Sequence, residues 1–211
     1  KTKQQKVFIE GLKEEDAYPA DPEDGYGWEK LFSERMCRHF MEDYGIQVRV
    51  ARYHNIYGPY GTYDGGREKA PAALCRKVLT AKKNNDNKIQ VWGDGKQTRT
   101  FLYIDDCVEG TLRLFESDYS DPVNIGSDEQ VSINQMIDII EKISGIEKLD
   151  REYQLDKPKG VRGRSSNNEL VKNVLNWSYG IKLKDGLTKT YNWIDSESSK
   201  EGSNLSRFIK S

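Results

Sequence analysis

The strongest constraint on the fold is a regular alternation of helical and strand-like segments. A helical pattern opens at about Trp28 and runs to Tyr44, where Gly45 ends it. The chain then passes through strand-like and amphipathic segments in turn, which in order are IQVRVARY, a helix from Pro71, KIQVW, TFLYI, a helix from Asp105, PVNIG, a helix after Ser132, SNNELVKNVL and LKDGLTKTYNWI. This alternation predicts an α/β fold with at least some parallel strand pairing.

Local signals set the expected ends of these helices. Pro71 suits the first turn of its helix, and Asp105 is expected to cap the next one. Ser132 and Gln135 have the spacing of a capping box. The long glycine- and tyrosine-rich stretch HNIYGPYGTYDGGRE is expected to be a functional loop.

Composition excludes several classes of protein. The 33 basic and 34 acidic residues give a net charge of -1, so nothing favours a nucleic-acid or anionic-membrane partner. No stretch is long and apolar enough for a membrane span, and we expect a cytoplasmic protein. Three separated cysteines and two histidines argue against a disulfide framework or a zinc site.

Tyr26 and Lys30 are the first candidate catalytic pair. They are four residues apart and therefore lie on one face of the predicted helix. An ammonium group beside a phenol favours the phenolate, so such a pair can act as an acid and base near neutral pH. The pair alone is equally typical of ordinary packing on a charge-rich helix. No G-x-G-x-x-G or G-x-x-G-x-x-G motif follows a strand in this sequence.

The motifs that follow Tyr26 and Lys30 along the sequence, taken in order, indicate a particular family. The segments R-Y-H-N-I-Y-G-P, V-W-G-D-G-K-Q-T-R-T-F-L-Y-I-D-D and P-V-N-I-G follow it in turn. In this order they resemble the extended short-chain dehydrogenase/reductase family of nucleotide-sugar epimerases and dehydratases. The matched positions are Asn55, Tyr57, Gly58, Pro59, Gly93, Gly95, Arg99, Asp105 and Asn124. The segments R-E-K-A-P-A-A and G-V-R-G-R are similar to those of the GDP-mannose 3,5-epimerases within that family.

The resemblance implies a site and a cofactor. The cofactor is NAD, which Tyr26 and Lys30 would contact, and the substrate is GDP-mannose or a related GDP-sugar. The implied reaction is transient oxidation at C4 followed by epimerisation at C5 and C3, with Tyr26, Lys30 and Lys69 as catalytic residues. The implied substrate-binding residues are Asn55, Glu68, Lys69, Ala70, Lys77, Gln97, Thr98, Arg99 and Arg162.

The resemblance also implies a division of the chain. Residues 1–56 would be a remnant of the Rossmann NAD-binding domain that carries the catalytic helix. Residues 57–195 would form mainly the smaller α/β substrate-binding domain, with 98–125 returning to the Rossmann domain, and 196–211 a flexible tail. Because the family's glycine-rich loop and catalytic cysteine lie upstream of such a remnant, we expect this chain to be an incomplete form, inactive alone. Cys37 follows the Tyr/Lys pair and does not inherit the cysteine's role.

Several alternatives remain at this point. Another NDP-sugar 4-epimerase or 4,6-dehydratase would share Tyr26 and Lys30 without needing Lys69, and a non-catalytic binding or dimerising fragment would need none of the three. The resemblance implies a homodimer through the first helix and the helix from about Asp105 to Glu116. An independent reason is the wide apolar stripe of the first helix, although such a stripe could also pack on the sheet; its residues are Trp28, Leu31, Phe32, Met36 and Phe40. His54 is expected to pack or hydrogen-bond, and Trp92, Trp177 and Trp193 are expected in the core.

Overall fold

The computed structural model describes residues 11–22, 24–157 and 163–200 of the 211-residue sequence. A short 3-10 turn at Glu14–Ala17 precedes the regular elements. The helices are α1 (Gly25–Tyr44), α2 (Ala70–Asn84), α3 (Ile104–Glu116), α4 (Ile133–Ser144), α5 (Glu169–Leu175) and α6 (Leu183–Ser198). The strands are β1 (Ala51–Tyr53), β2 (Ile56–Tyr57), β3 (Lys88–Trp92), β4 (Thr98–Thr100), β5 (Leu102–Tyr103), β6 (Val123–Ile125), β7 (Gln130–Ser132), β8 (Asp150–Gln154) and β9 (Gly163–Arg164).

Most of the strand pairing is parallel. The pairs β1–β6, β2–β5 and β3–β8 are all parallel, and each joins strands that are far apart in the sequence. The remaining strands form a mixed sheet in the order β7–β4–β9, antiparallel on one side and parallel on the other. Parallel pairs connected through helices confirm the predicted α/β class.

Two apolar clusters form the core. The larger one joins α2, α4 and α6 to β3 and the β2–β5 pair, and Val78, Ile140 and Leu187 are fully buried in it. The smaller one packs α3 and α5 against β6, with Val123 and Val171 at its centre. The larger cluster supports the helix and strand that carry the main cavity described below.

The predicted helix ends are partly correct. Ser132 and Gln135 form the expected capping box, and Gly45 ends α1 with a left-handed φ of 66°. The expected cap at Asp105 is wrong, because α3 begins at Ile104 after an extended Tyr103 that makes no side-chain cap. Asp105 instead lies in the first turn, where its negative charge interacts favourably with the positive end of the helix dipole.

Other elements differ from the sequence pattern. Of the segment IQVRVARY only the last three residues are paired as a strand, and β2, β7, β8 and β9 were not predicted. Helix α1 begins at Gly25 because the Asp24 side chain accepts a hydrogen bond from the Gly27 N–H at 2.8 Å. Helix α6 continues to Ser198, so the first residues of the expected tail are helical. Residues 201–211 of that tail lie outside the described residues.

Helix α1 stands apart from both core clusters. Its side chains include no buried residue among the described ones. Its main link to the rest of the chain is a half-buried ion pair in which the Arg52 guanidinium holds Glu34, with Nη2 to Oε2 at 2.6 Å and Nε to Oε1 at 2.9 Å. The apolar stripe of α1 therefore faces solvent in this chain.

Candidate functional site

A cavity of about 760 Å³ lies between helix α2 and strand β3. Its lining includes Glu68, Ala70, Lys77, Trp92 and Gln97. Four of these five residues are expected substrate contacts that lie up to 29 positions apart in the sequence. The fold thus brings four expected site residues, Glu68, Ala70, Lys77 and Gln97, to one place.

Strand β3 forms one wall of this cavity because its side chains alternate. Ile89 and Val91 are buried in the core, whereas Lys88, Gln90 and Trp92 point outward and line the cavity. Trp92 is 54% exposed, so its expected placement in the core is wrong. Trp177 is buried as expected, and Trp193 is partly buried against the larger core cluster.

Two buried acceptor atoms in the cavity lining have no partner among the described residues. They are Oε2 of Glu68 and Oε1 of Gln97. The amide nitrogen of Gln97 donates to the Trp92 carbonyl at 3.1 Å, which fixes the orientation of that side chain. Buried polar atoms without a partner cost free energy, so these two oxygens suit a ligand that offers hydrogen-bond donors.

The groups around the Glu68 carboxylate stabilise its ionised form. Burial acts to raise its pKa, but the nearby backbone N–H groups of Glu68 and Gly66 and the guanidinium of Arg76 lower it, and its pKa lies below the ordinary value. Arg76 Nη2 donates to Glu68 Oε1 at 3.1 Å. Glu68 is therefore an anionic acceptor at neutral pH.

Lys77 supplies the positive charge in the cavity lining that the resemblance predicts. Its ammonium donates to the Gln90 carbonyl at 2.9 Å and lies 6.0 Å from the centre of the Trp92 ring. Burial lowers the pKa of Lys77 below its ordinary value. A partly desolvated ammonium beside an exposed indole is a suitable contact for an anionic, aromatic ligand.

Lys69, Thr98 and Arg99 lie beside the cavity without lining it. Lys69 precedes α2 as its N-cap residue, and its side chain is exposed. Thr98 accepts a hydrogen bond from Gln130 at 3.0 Å. Arg99 donates to the Thr98 carbonyl at 2.7 Å on the adjoining strand β4.

Asn55 lies in a second, smaller cavity of about 220 Å³ together with His54 and Asn124. Its φ is 47°, a left-handed conformation that asparagine tolerates better than most residues, and its amide donates to the Thr100 carbonyl at 3.0 Å. His54 Nε2 lies 3.3 Å from Asn124 Oδ1, which confirms its expected hydrogen-bonding role. Asn55 and the residues of the main cavity thus lie in separate cavities.

Tyr26 and Lys30 lie together on α1, in neither cavity. The Lys30 ammonium lies 5.1 Å from the centre of the Tyr26 ring and 3.0 Å from Glu29 Oε1. The hydrogen bond and the charge of Glu29 raise the pKa of Lys30 above its ordinary value. Tyr26 is 68% exposed, so its hydroxyl is open to a ligand. Arg162, the remaining expected contact, lies outside the described residues.

Sequence reasoning missed two cavity features. Trp92 was assigned to the core although the alternation in KIQVW already places it on the same face as Lys88 and Gln90. Arg76 received no role from the sequence, because its contacts depend on how the loop before α2 folds back towards that helix. Within the parts of the chain that the structure describes, no helix combines the length and the hydropathy needed to cross a bilayer.

Two known proteins are similar to this chain over at least 90% of its length. GDP-mannose 3,5-epimerase 1 of Oryza sativa subsp. indica is 54% identical over 193 residues, which cover 90% of this chain and 49% of the relative. GDP-mannose 3,5-epimerase of Arabidopsis thaliana is 51% identical over 200 residues, covering 93% of this chain and 52% of the relative. The chain spans about half the length of these curated relatives.

A solved structure and a family model agree with this result. The structure of UDP-glucuronic acid 4-epimerase from Bacillus cereus, in complex with UDP-glucuronic acid and NAD, is 26% identical with a TM-score of 0.75. That match covers 92% of this chain and 59% of the solved one. The model described as "NAD dependent epimerase/dehydratase family" matches residues 4–126, more than half of the sequence. The chain therefore belongs to the NAD dependent epimerase/dehydratase family.

Proposed function

We propose that this chain carries the catalytic helix and the sugar-nucleotide site of a GDP-mannose 3,5-epimerase. The relatives named so at 51–54% identity support this choice. The proposed reaction is NAD-dependent oxidation at C4 of GDP-mannose, followed by epimerisation at C5 and C3 to GDP-L-galactose. The enzyme class is then an isomerase, with this chain contributing part of its machinery.

The pair of unpartnered acceptors in the main cavity carries the proposal. Guanine presents an N1–H and an exocyclic amino group side by side, whereas uracil presents a single ring N–H. Glu68 Oε2 and Gln97 Oε1 together offer two acceptors in the lining of this cavity. Trp92 adds an exposed aromatic surface on which a base can stack.

Cationic residues next to this cavity suit the diphosphate. Lys77 lines the cavity, and Arg99 lies on strand β4 immediately after Gln97 and Thr98. A guanidinium offers a planar fork to two phosphate oxygens. We assign Arg99 and Arg162 to the diphosphate, with Thr98 and Ala70 as neighbouring contacts and Asn55 towards the sugar hydroxyls.

Tyr26 and Lys30 fit the nicotinamide ribose end of NAD. A phenol and an ammonium one helical turn apart, both accessible to solvent, form a suitable donor set for ribose hydroxyls. When bound, NAD supplies reversible hydride transfer at C4 of the hexose. The sequence itself holds no glycine-rich motif for the pyrophosphate.

The chain's own residues then move protons. Tyr26 receives the proton of the C4 hydroxyl, and Lys30 stabilises the phenolate that allows this. The resulting ketone makes the hydrogens at C3 and C5 acidic. Lys69 holds or delivers a proton at one of these carbons, since its exposed ammonium sits at the start of α2 beside Glu68. We expect its environment to become drier when a substrate is bound.

The division of the chain follows from this proposal. We assign residues 1–56 to the Rossmann remnant, 57–195 mainly to the substrate domain with 98–125 returning to the Rossmann part, and 196–211 to a C-terminal segment whose first residues, to Ser198, continue α6. The proposed location is the cytoplasm, and the proposed partners include no nucleic acid or membrane.

We assign a homodimer interface to α1 and α3. On α1, the apolar side chains of Trp28, Phe32, Met36 and Phe40 are each 37–65% exposed. On α3, Val108, Leu112 and Phe115 are each at least half exposed. Apolar stripes of this size are typical of surfaces that another subunit covers.

The experiment joins the upstream half of the Oryza sativa relative to this chain. The fusion is incubated with NAD and GDP-mannose in deuterium oxide, and label at C3 and C5 is followed by NMR. We expect deuterium at both carbons. Label at neither carbon, with a change at C4 alone on UDP-sugars, would favour the 4-epimerase alternative. Binding without any turnover would favour the non-catalytic fragment.

A further inference from the structure

Arg76 on helix α2 reaches back to the loop that precedes its own helix. Its Nε donates to the Tyr63 carbonyl at 2.9 Å, and its Nη2 donates to Glu68 Oε1 at 3.1 Å. The same guanidinium lies 3.4 Å from Asp64 Oδ1. One side chain thus contacts both ends of the loop 64–68.

The loop 64–68 has a glycine-rich middle that makes few contacts of its own. Gly65 and Gly66 have φ values of 89° and 83°, in the left-handed region that glycine adopts without strain. A side-chain carbon added at Gly66 would meet no atom within 4 Å, so the middle of the loop is open to solvent. Arg76 makes the hydrogen bonds and ion pairs that join residues 64–68 to α2.

The two ends of this bridge are fixed points. Tyr63 is 6% exposed, and its ring packs against Trp193 at 5.3 Å between centroids. Arg76 rises from the second turn of α2, whose inner face lies in the larger core cluster. The Arg76 guanidinium therefore connects Glu68 to two well-packed parts of the fold, Tyr63 and helix α2.

The positive charge of Arg76 also favours the inward position of the Glu68 carboxylate. The Asp64 and Glu68 carboxylates both face the same guanidinium, and the Glu68 side chain is only 9% exposed. Removing the cation would leave a nearly buried carboxylate next to another acid, which would favour turning Glu68 out to solvent. Glu68 Oε2 would then leave the cavity lining.

We propose that Arg76 is a positioning residue: its guanidinium clamps the loop 64–68 so that Glu68 presents its free oxygen to the sugar nucleotide and Lys69 is held at the start of α2. The identity of the ligand in this inference rests on the proposed function. The contact between Arg76 and the loop does not. Arg76 also lines the cavity, but in this scheme it acts through Glu68 and the loop rather than by contact with the ligand.

Two measurements on the 211-residue chain test the clamp and its consequence separately. The first is the rate of tryptic cleavage between Arg67 and Glu68 in the unliganded chain. The second is the dissociation constant for GDP-mannose by calorimetry. The variants are Arg76→Gln, Arg76→Lys and Glu68→Gln, and Arg113→Gln is the matched control because Arg113 also bridges a carboxylate, Glu109, and a backbone carbonyl, Asn176, but on α3.

We expect Arg76→Gln to speed cleavage at Arg67 and to weaken GDP-mannose binding by roughly tenfold, the loss typical of one charge-assisted hydrogen bond. Arg76→Lys should recover part of both effects, and Arg113→Gln should show neither. Adding Arg76→Gln to Glu68→Gln should cost little further affinity, since both act through one contact.

The outcomes separate the two claims. Unchanged cleavage at Arg67 in Arg76→Gln overturns the clamp, whatever the affinity. Faster cleavage with unchanged affinity overturns the positioning role. Faster cleavage in a chain that binds no GDP-mannose even as wild type supports the clamp and contradicts the proposed function.

Discussion

The ammonium of Lys77 lies 6.0 Å from the centre of the Trp92 ring, and both groups line the cavity between α2 and β3. Lys77 comes from the middle of a helix and Trp92 from the end of a strand, so their meeting depends on the packing of α2 against β3. A cation and an exposed indole on one wall suit a ligand that is both anionic and aromatic. A nucleoside diphosphate has both properties.

Trp92 should report nucleotide binding directly. Stacking of guanine on its ring is expected to change the tryptophan fluorescence of the chain when GDP is added. Trp92→Leu should abolish this change and weaken GDP binding by about 1–3 kcal/mol, the usual value of base stacking on an aromatic ring. The control is Trp28→Leu on α1, which is similarly exposed at 52%. A signal that survives Trp92→Leu and disappears in Trp28→Leu would place the nucleotide elsewhere.

Tyr26 and Lys69 should fail at different steps in the fusion with the upstream half. Tyr26→Phe should abolish oxidation at C4, because it removes the hydroxyl proposed to take that proton. Lys69→Ala should still allow oxidation at C4 but should stop inversion, so that no deuterium is incorporated at C3 and C5. Tyr44→Phe and Lys184→Ala serve as controls, since both replace exposed residues of the same type on helices. Full exchange at both carbons in Lys69→Ala would refute its assigned role.

The chain on its own is expected to show no epimerase turnover. It lacks the glycine-rich motif that would hold the NAD pyrophosphate at a helix N-terminus. Incubation with NAD and GDP-mannose in deuterium oxide should therefore leave C3 and C5 unlabelled. Label at either carbon would show that a second NAD-binding segment is not needed.

Gly186 should be intolerant of alanine although it lies inside helix α6. Alanine at a helix interior is normally better than glycine by about 1 kcal/mol. Here a side-chain carbon would collide with the Tyr57 hydroxyl and lie 2.8 Å from the Tyr103 ring, in the fully packed core. Overpacking of this kind costs about 1–3 kcal/mol, so Gly186→Ala should lower the free energy of unfolding. Gly25→Ala, which meets no atom within 4 Å, should not lower it in the same urea titration.

The exposed stripe of α1 predicts self-association. Met36→Glu places a charge in the middle of that stripe and should shift the sedimentation of the fusion protein from dimer to monomer at micromolar concentration. Glu29→Gln, on the polar side of α1, should leave the dimer intact. A wild-type protein that already sediments as a monomer would rule out this interface.

Secondary structure followed from the sequence where the signal was local. The capping box at Ser132, the left-handed stop at Gly45 and the alternation of KIQVW all depend on residues within a few positions of each other. The observed N-cap, Tyr103, lies two positions before the expected one at Asp105, because the strand before it runs directly into α3. Strand β8 has no strong alternation, and its identity depends on pairing with β3 across 62 residues.

The candidate site was predictable only in part, for the same reason. Glu68, Ala70, Lys77 and Gln97 were expected from motifs, and the structure brings them to one cavity. Arg76 was missed because its contacts depend on how the loop 64–68 folds back. The exposure of α1 could not be read from its apolar pattern, since the same stripe suits either a sheet or another subunit.

The preference for one nucleobase tests the central claim most directly. The wild-type chain is titrated by calorimetry with GDP-mannose and with UDP-mannose, which differ only in the base, and the titrations are repeated with Gln97→Leu. The two acceptors of the cavity predict that GDP-mannose binds at least about tenfold more tightly, and that Gln97→Leu removes most of this preference. Equal affinity for the two nucleotides, or a preference for UDP-mannose, would contradict the assignment of this cavity to GDP-mannose.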